Sequence, residues 1–127
     1  MIKYIVLITF LAFSFGCKAT TCLITEESIA ENSSKYAELF KITLTKRGPL
    51  LNVELSAPTE IEGKVLQGVL LHKIEKGQTV FTIPLNTYVE NSRVSSWYDA
   101  DEQLVVGNFI TFDYGENCGL SLKYVVK

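Results

Sequence analysis

From Phe40 onward, apolar residues recur at every second position between turn signals, the period of half-buried β-strands, and helical spacing is nearly absent. In Phe40-Lys41-Ile42-Thr43-Leu44-Thr45 the apolar side chains face one way and the polar ones the other. Arg47-Gly48-Pro49 stops that strand, because proline cannot donate to a ladder and glycine admits turn geometry. Leu51, Val53 and Leu55 resume the alternation up to Ala57-Pro58, which predicts a hairpin. Ile61 to Ile74 reads as one long strand, bent at Gly63 and Gly68. Glu75-Lys76-Gly77-Gln78 is the next turn, and Thr79 to Leu85 the next strand, with Pro84 confining its far end to an edge or an exit.

Tyr88 to Tyr98 is less regular and predicts a strand near Arg93 to Tyr98. Asp99-Ala100-Asp101-Glu102 reads as a polar turn. Leu104 to Tyr114 and Leu120 to Val126 then form a hairpin closed by Gly115 to Gly119, with Leu120, Leu122, Tyr124 and Val126 facing inward. Ahead of Phe40, Cys22 to Thr25 could form a first strand, Glu26 to Ser34 a polar linker, and Ser34 to Leu39 a helical turn. About seven or eight short strands in one hundred residues predict an all-β fold, an antiparallel β-sandwich of immunoglobulin-like architecture, with a small closed barrel as the alternative.

The first sixteen residues break this pattern. Lys3 precedes an apolar run, Tyr4 to Phe15, that is shorter than the roughly 20 residues a membrane-spanning helix needs but has the length of an export-signal core. The expected organisation is a removed signal at residues 1–16, an N-terminal anchor and linker at 17–37, and the β domain at 38–127. Such a protein works outside the cytoplasm.

Ser14-Phe15-Gly16-Cys17, at the end of that run, resembles the lipobox of bacterial lipoproteins, although that family usually has an aliphatic residue where Ser14 stands and rarely a bulky Phe15. The resemblance implies diacylation of Cys17 and attachment to a membrane facing the periplasm. In a double-membrane bacterium, Lys18 after the cysteine resembles the pattern sorted to the outer membrane. Cleavage after Ala19 is the competing reading, and it would release a soluble secreted protein.

Three cysteines leave an odd one in an exported chain unless one has another task. Lipidation of Cys17 supplies that task, so Cys22 and Cys118 remain to pair in an oxidising compartment. In the chain-entropy model a loop of that length stabilises the fold by about 4–5 kcal/mol. A zinc site of Cys17, Cys22, Cys118 and His72 has a permissible spacing, but Cys17 lies at the processing point and exported thiols tend to oxidise, so no metal is expected. Loss of Lys3 with the signal leaves eleven cations against fourteen acids, a balance that argues against nucleic acid.

No catalytic constellation is visible. Gly63-x4-Gly68 has the glycine spacing of a phosphate loop but is followed by Val69-Leu70 rather than lysine and a hydroxyl residue. His72, the one histidine, stands among Leu70, Leu71 and Ile74 with no partner nearby in sequence. Asp99, Asp101 and Glu102 are the densest carboxylates, yet the chain returns at once to Gln103-Leu104-Val105 without the ligands a calcium loop would add. Neither cofactor nor enzymatic activity is therefore expected.

The binding candidates are Trp97, Tyr98, Asp99 and Asp101. Adjacent strand residues point to opposite faces, so one ring of Trp97-Tyr98 faces solvent unless both faces are covered. The favoured arrangement has Trp97 in the core and Tyr98 on its rim. In the other, an exposed ring anchors a partner. The functional expectation is a non-catalytic binding module acting on an envelope or extracellular protein, such as an inhibitor or immunity protein. A structural or assembly component of an envelope complex, using an exposed strand edge, and an envelope hydrolase are the alternatives.

Overall fold

The structure, a computed structural model, describes residues 24–105 and 107–127. The expected export signal, Cys17 and Cys22 lie outside the described residues. The described chain begins with helix α1 (Glu26–Lys35), where a polar linker was expected. Thr25 and Ser28 form a capping box: the Thr25 side chain accepts from the Ser28 amide, and the Ser28 hydroxyl accepts from the Thr25 amide. Glu26 and Glu27 in the first turn and Lys35 in the last match the helix dipole. Serine in place of the usual glutamate, and no buried apolar stripe, explain why periodicity missed the helix. A 3-10 turn at Ala37–Leu39 fulfils the expected helical turn. Ile24 and Thr25 are not in a strand.

Nine strands follow among the described residues: β1 (Lys41–Arg47), β2 (Leu50–Pro58), β3 (Glu60–Ile61), β4 (Lys64–Glu75), β5 (Gln78–Pro84), β6 (Tyr88–Glu90), β7 (Arg93–Asp101), β8 (Phe109–Tyr114) and β9 (Leu120–Val125). They build two antiparallel sheets. One has the order β1-β2-β7-β6; in the other β3, β4, β8 and β9 run in order and β5 also pairs with β4. The sheets pack face to face as an all-β sandwich, with no closed barrel. The β1–β2 hairpin pairs Lys41 with Ser56 through Arg47 with Leu50, as the alternation predicts.

The long strand expected from Ile61 to Ile74 divides. Glu62 and Gly63, both at positive φ, form a turn between β3 and β4, which leaves Gly68 alone at a register shift against β8. The acidic turn is also relocated. Asp99 and Asp101 belong to β7, and Glu102–Val105 forms a short helix, α2, where the next strand was expected to begin. Three acids in four residues suggest a solvated turn, but pairing with β2 across the whole of Leu50–Pro58 carries β7 through them.

Between the sheets lie Val53, Leu55 and Ala57 of β2, Val69 and Leu71 of β4, Ile110, Phe112 and Tyr114 of β8, and Leu122 of β9, all buried. Each large apolar side chain fully removed from water contributes about 1.5–3 kcal/mol. Phe40 closes one side with an aromatic cluster, its ring centroid 4.7 Å from Phe112 and 5.0 Å from Tyr124. The Tyr114 hydroxyl crosses between the sheets to donate to the Pro58 carbonyl at 2.8 Å. Leu122 and Val126 are buried and Leu120 and Tyr124 pack against the core, so the inward set read from the last strand holds.

Candidate functional site

The pairing of β2 with β7 decides which way Trp97 faces. Val53 and Leu55 enter the core, so Glu54 between them lies on the outer face; Trp97 stands directly opposite Glu54 and shares that face. The residue is 54% exposed. Tyr98, opposite the buried Val53, points inward instead. The expected sides are therefore exchanged, because the register puts the odd positions of β7 outside. Trp97, Asp99 and Asp101 share one face and Tyr98 does not, so the four candidates do not form a single site.

The outer face of the four-stranded sheet is organised in cross-strand rows. Thr43, Glu54 and Trp97 form one; Lys41, Ser56, Ser95 and Tyr88 form the next; Thr45, Asn52 and Asp99 form a third. Around the first two rows lies an open hollow of about 430 Å3, lined by Lys41, Thr43, Glu54, Ser56, Ser95 and Trp97. It presents one cation, one carboxylate and three hydroxyls beside an indole. Asn52, buried on this face, donates through Nδ2 to Asp99 Oδ1 at 2.8 Å and so holds that carboxylate in place. Asp101 Oδ1 accepts the Gln103 amide at 3.1 Å, and Glu102 lies 3.8 Å from Lys46 in an exposed pair. These acids are occupied within the fold, and no group of metal ligands forms among the described residues.

Periodicity along β2 alone would have put Asn52 and Glu54 on the outside. What it could not show is that β7, more than forty residues later, lies against them.

Tyr98 occupies a different environment. Its hydroxyl is buried without a hydrogen-bond partner among the described residues, and burial pushes its pKa up to about 12. The ring borders a cavity of about 270 Å3 between the sheets.

His72 lies on the outer surface of the other sheet, with Nδ1 3.0 Å from Thr82 Oγ1 and Nε2 2.8 Å from Thr111 Oγ1. Its ring stacks on Phe109 at 4.5 Å. Desolvation lowers its pKa from the ordinary imidazole value, opposed by the charge of Asp113 and assisted by that of Lys123. Both ring nitrogens are engaged by neutral hydroxyls. Gly63 lies in the turn between β3 and β4, outside the strand expected to contain it, and Gly68 stands at the register shift against β8.

The chain matches no family model, no curated protein and no solved structure.

Proposed function

We propose that this chain is a small exported, lipid-anchored binding module without catalytic activity, whose protein partner in the cell envelope docks on the outer face of the four-stranded sheet. The observation that carries the reading is the Trp97 ring, held more than half exposed on a paired, regular strand beside a polar hollow. A large ring left in water costs free energy that contact with a partner recovers, and a strand holds it in one orientation, so little entropy is lost on docking. Acylation of Cys17 would hold the module at the membrane, and a Cys22–Cys118 disulfide would tie its start to the β8–β9 turn.

The test uses the full chain in its native envelope, with a photo-crosslinking residue at Ser95 beside the hollow. A single crosslinked protein, lost in Trp97→Ala and absent when the crosslinker is moved to Thr111 on the other sheet, supports the reading. Equal crosslinking of the Trp97→Ala variant overturns it. Truncating a central anchor costs about 2 kcal/mol, close to a thirtyfold loss of affinity. The intact mass of membrane-derived protein, with and without reductant, tests the anchor and the disulfide.

A further inference from the structure

The charged side chains nearest Trp97 on the outer face are both acidic. Glu54 stands directly across from it on β2, and Asp99 is the next residue along β7 on that face. Cross-strand partners lie about 5 Å apart at Cβ and successive same-face residues about 7 Å apart, so the two carboxylates flank the indole from two sides. Glu54 is exposed and makes neither a hydrogen bond nor an ion pair among the described residues, although Lys41 is its diagonal neighbour. The cations of this face lie farther from the ring. Lys41 and Arg47 are on β1, two strands away, and Arg93 is tied to Ser56 Oγ at 2.8 Å and to the Leu39 carbonyl at 2.7 Å.

Asp99 is held in position by a buried side chain. Asn52, 2% exposed, gives its Nδ2 to Asp99 Oδ1 at 2.8 Å, and its own Oδ1 is buried without a partner among the described residues. Turning the amide over would bring two oxygens together, so the orphaned acceptor accompanies the fixed carboxylate. The bond from Asn52 uses one of about four acceptor positions on Asp99 and leaves the others for a ligand. A cation near Asp99 would offset the carboxylate and the orphaned oxygen together, acting on the latter through space.

Resting on the reading of this face as the docking surface, we propose that the partner residue covering Trp97 is an arginine, whose guanidinium stacks on the indole and pairs with Glu54 and Asp99. A cation over an aromatic face sits within about 6 Å of the ring centroid, which brings it within reach of both carboxylates. Arginine suits the position better than lysine, because its guanidinium is planar, weakly hydrated and forked to match a carboxylate. An acidic residue there would face two like charges, and an apolar one would leave both carboxylates desolvated and unpaired.

Trp97 is the one tryptophan of the chain, so its fluorescence reads the local potential. At constant ionic strength, the ratio of caesium to iodide quenching in the purified full chain should be about twofold above that of free N-acetyltryptophanamide, and Glu54→Gln and Asp99→Asn should each lower it. In the envelope, with the photo-crosslinking residue at Ser95, Glu54→Lys puts a cation of the chain itself beside the indole and should reduce the crosslink at least about tenfold. Glu60→Lys, the same charge change on the other sheet, should leave it unchanged. The crosslinked partner peptide should contain an arginine whose replacement by glutamine removes the crosslink. A quenching ratio no higher than that of the free amide, full crosslinking of Glu54→Lys, or a partner peptide without arginine would overturn the inference while leaving Trp97 as the docking residue. Absence of any Trp97-dependent crosslink, or a crosslink only to a second copy of this chain, would overturn the docking reading and the inference with it.

Discussion

Tyr98 and Tyr114 both project from strands into the space between the sheets, and replacing each by phenylalanine should change stability in opposite directions. The Tyr98 hydroxyl is buried and makes no hydrogen bond among the described residues, so Tyr98→Phe breaks none of them and removes a desolvated polar group. Leaving such a group unsatisfied costs about 1–3 kcal/mol, and the variant should recover about 1 kcal/mol of it. Tyr114→Phe deletes the 2.8 Å bond to the Pro58 carbonyl and strips that acceptor of its partner, a loss of about 1–2 kcal/mol. For a domain near one hundred residues, each kcal/mol moves Tm by about 4–8 °C. Urea unfolding of the two variants in parallel gives the comparison directly, with unchanged slopes confirming that neither the native nor the denatured state has altered.

The alkaline limb provides an independent check. A Tyr98 pKa raised to about 12 means that the unfolded phenol ionises first, so its contribution is intact below pH 10 and is lost as pH rises from 10 toward 12. Tyr98→Phe should therefore flatten the fall in stability across that window. Destabilisation by Tyr98→Phe comparable to that by Tyr114→Phe would refute the reasoning, because it would show that the Tyr98 hydroxyl has a partner in the folded protein.

Ser33→Ala should cost about 1–2 kcal/mol and speed hydrogen exchange in α1 and at Lys123, since one hydroxyl both donates to the Ile29 carbonyl and accepts the β9 amide. Gly119→Ala should prevent the β8–β9 turn from closing, because the added methyl carbon would sit 2.2 Å from the Tyr114 carbonyl oxygen, and loss of cooperative melting is the readout. Acid should weaken the fold through His72: its folded pKa is lowered, so its contribution is complete above the unfolded value of 6.5 and declines as pH falls below it. His72→Gln should flatten the stability profile between pH 7 and pH 5. Trp97→Ala should leave unfolding within about 0.5 kcal/mol of the parent while removing the envelope crosslink, as befits a ring that lies outside the core.

Period-two alternation was legible in the sequence wherever one face of a strand is buried and the other wet, and it located β1, β2, β5 and β9 together with the sandwich class. It also identified the inward residues of the last strand. The pattern failed where two elements compete for the same residues. Asp99 and Asp101 look like a turn locally, but nine consecutive pairings with β2 hold them in a strand. Glu26 to Lys35 looks like a linker because its helix buries no apolar stripe, and its anchorage comes from one serine and the edge of β9.

The same division runs through the candidate sites. That Trp97 and Tyr98 face opposite ways follows from the sequence alone, since side chains on a strand alternate. Which of the two meets solvent is set by register against β2, and a shift of one residue would have exchanged them. Glu54, Lys41 and Ser95 join Trp97 only because strands distant in sequence lie side by side. The cavity that the Tyr98 ring borders arises in the same way, from strands remote in sequence, and such pairings leave no mark on local hydrophobic pattern.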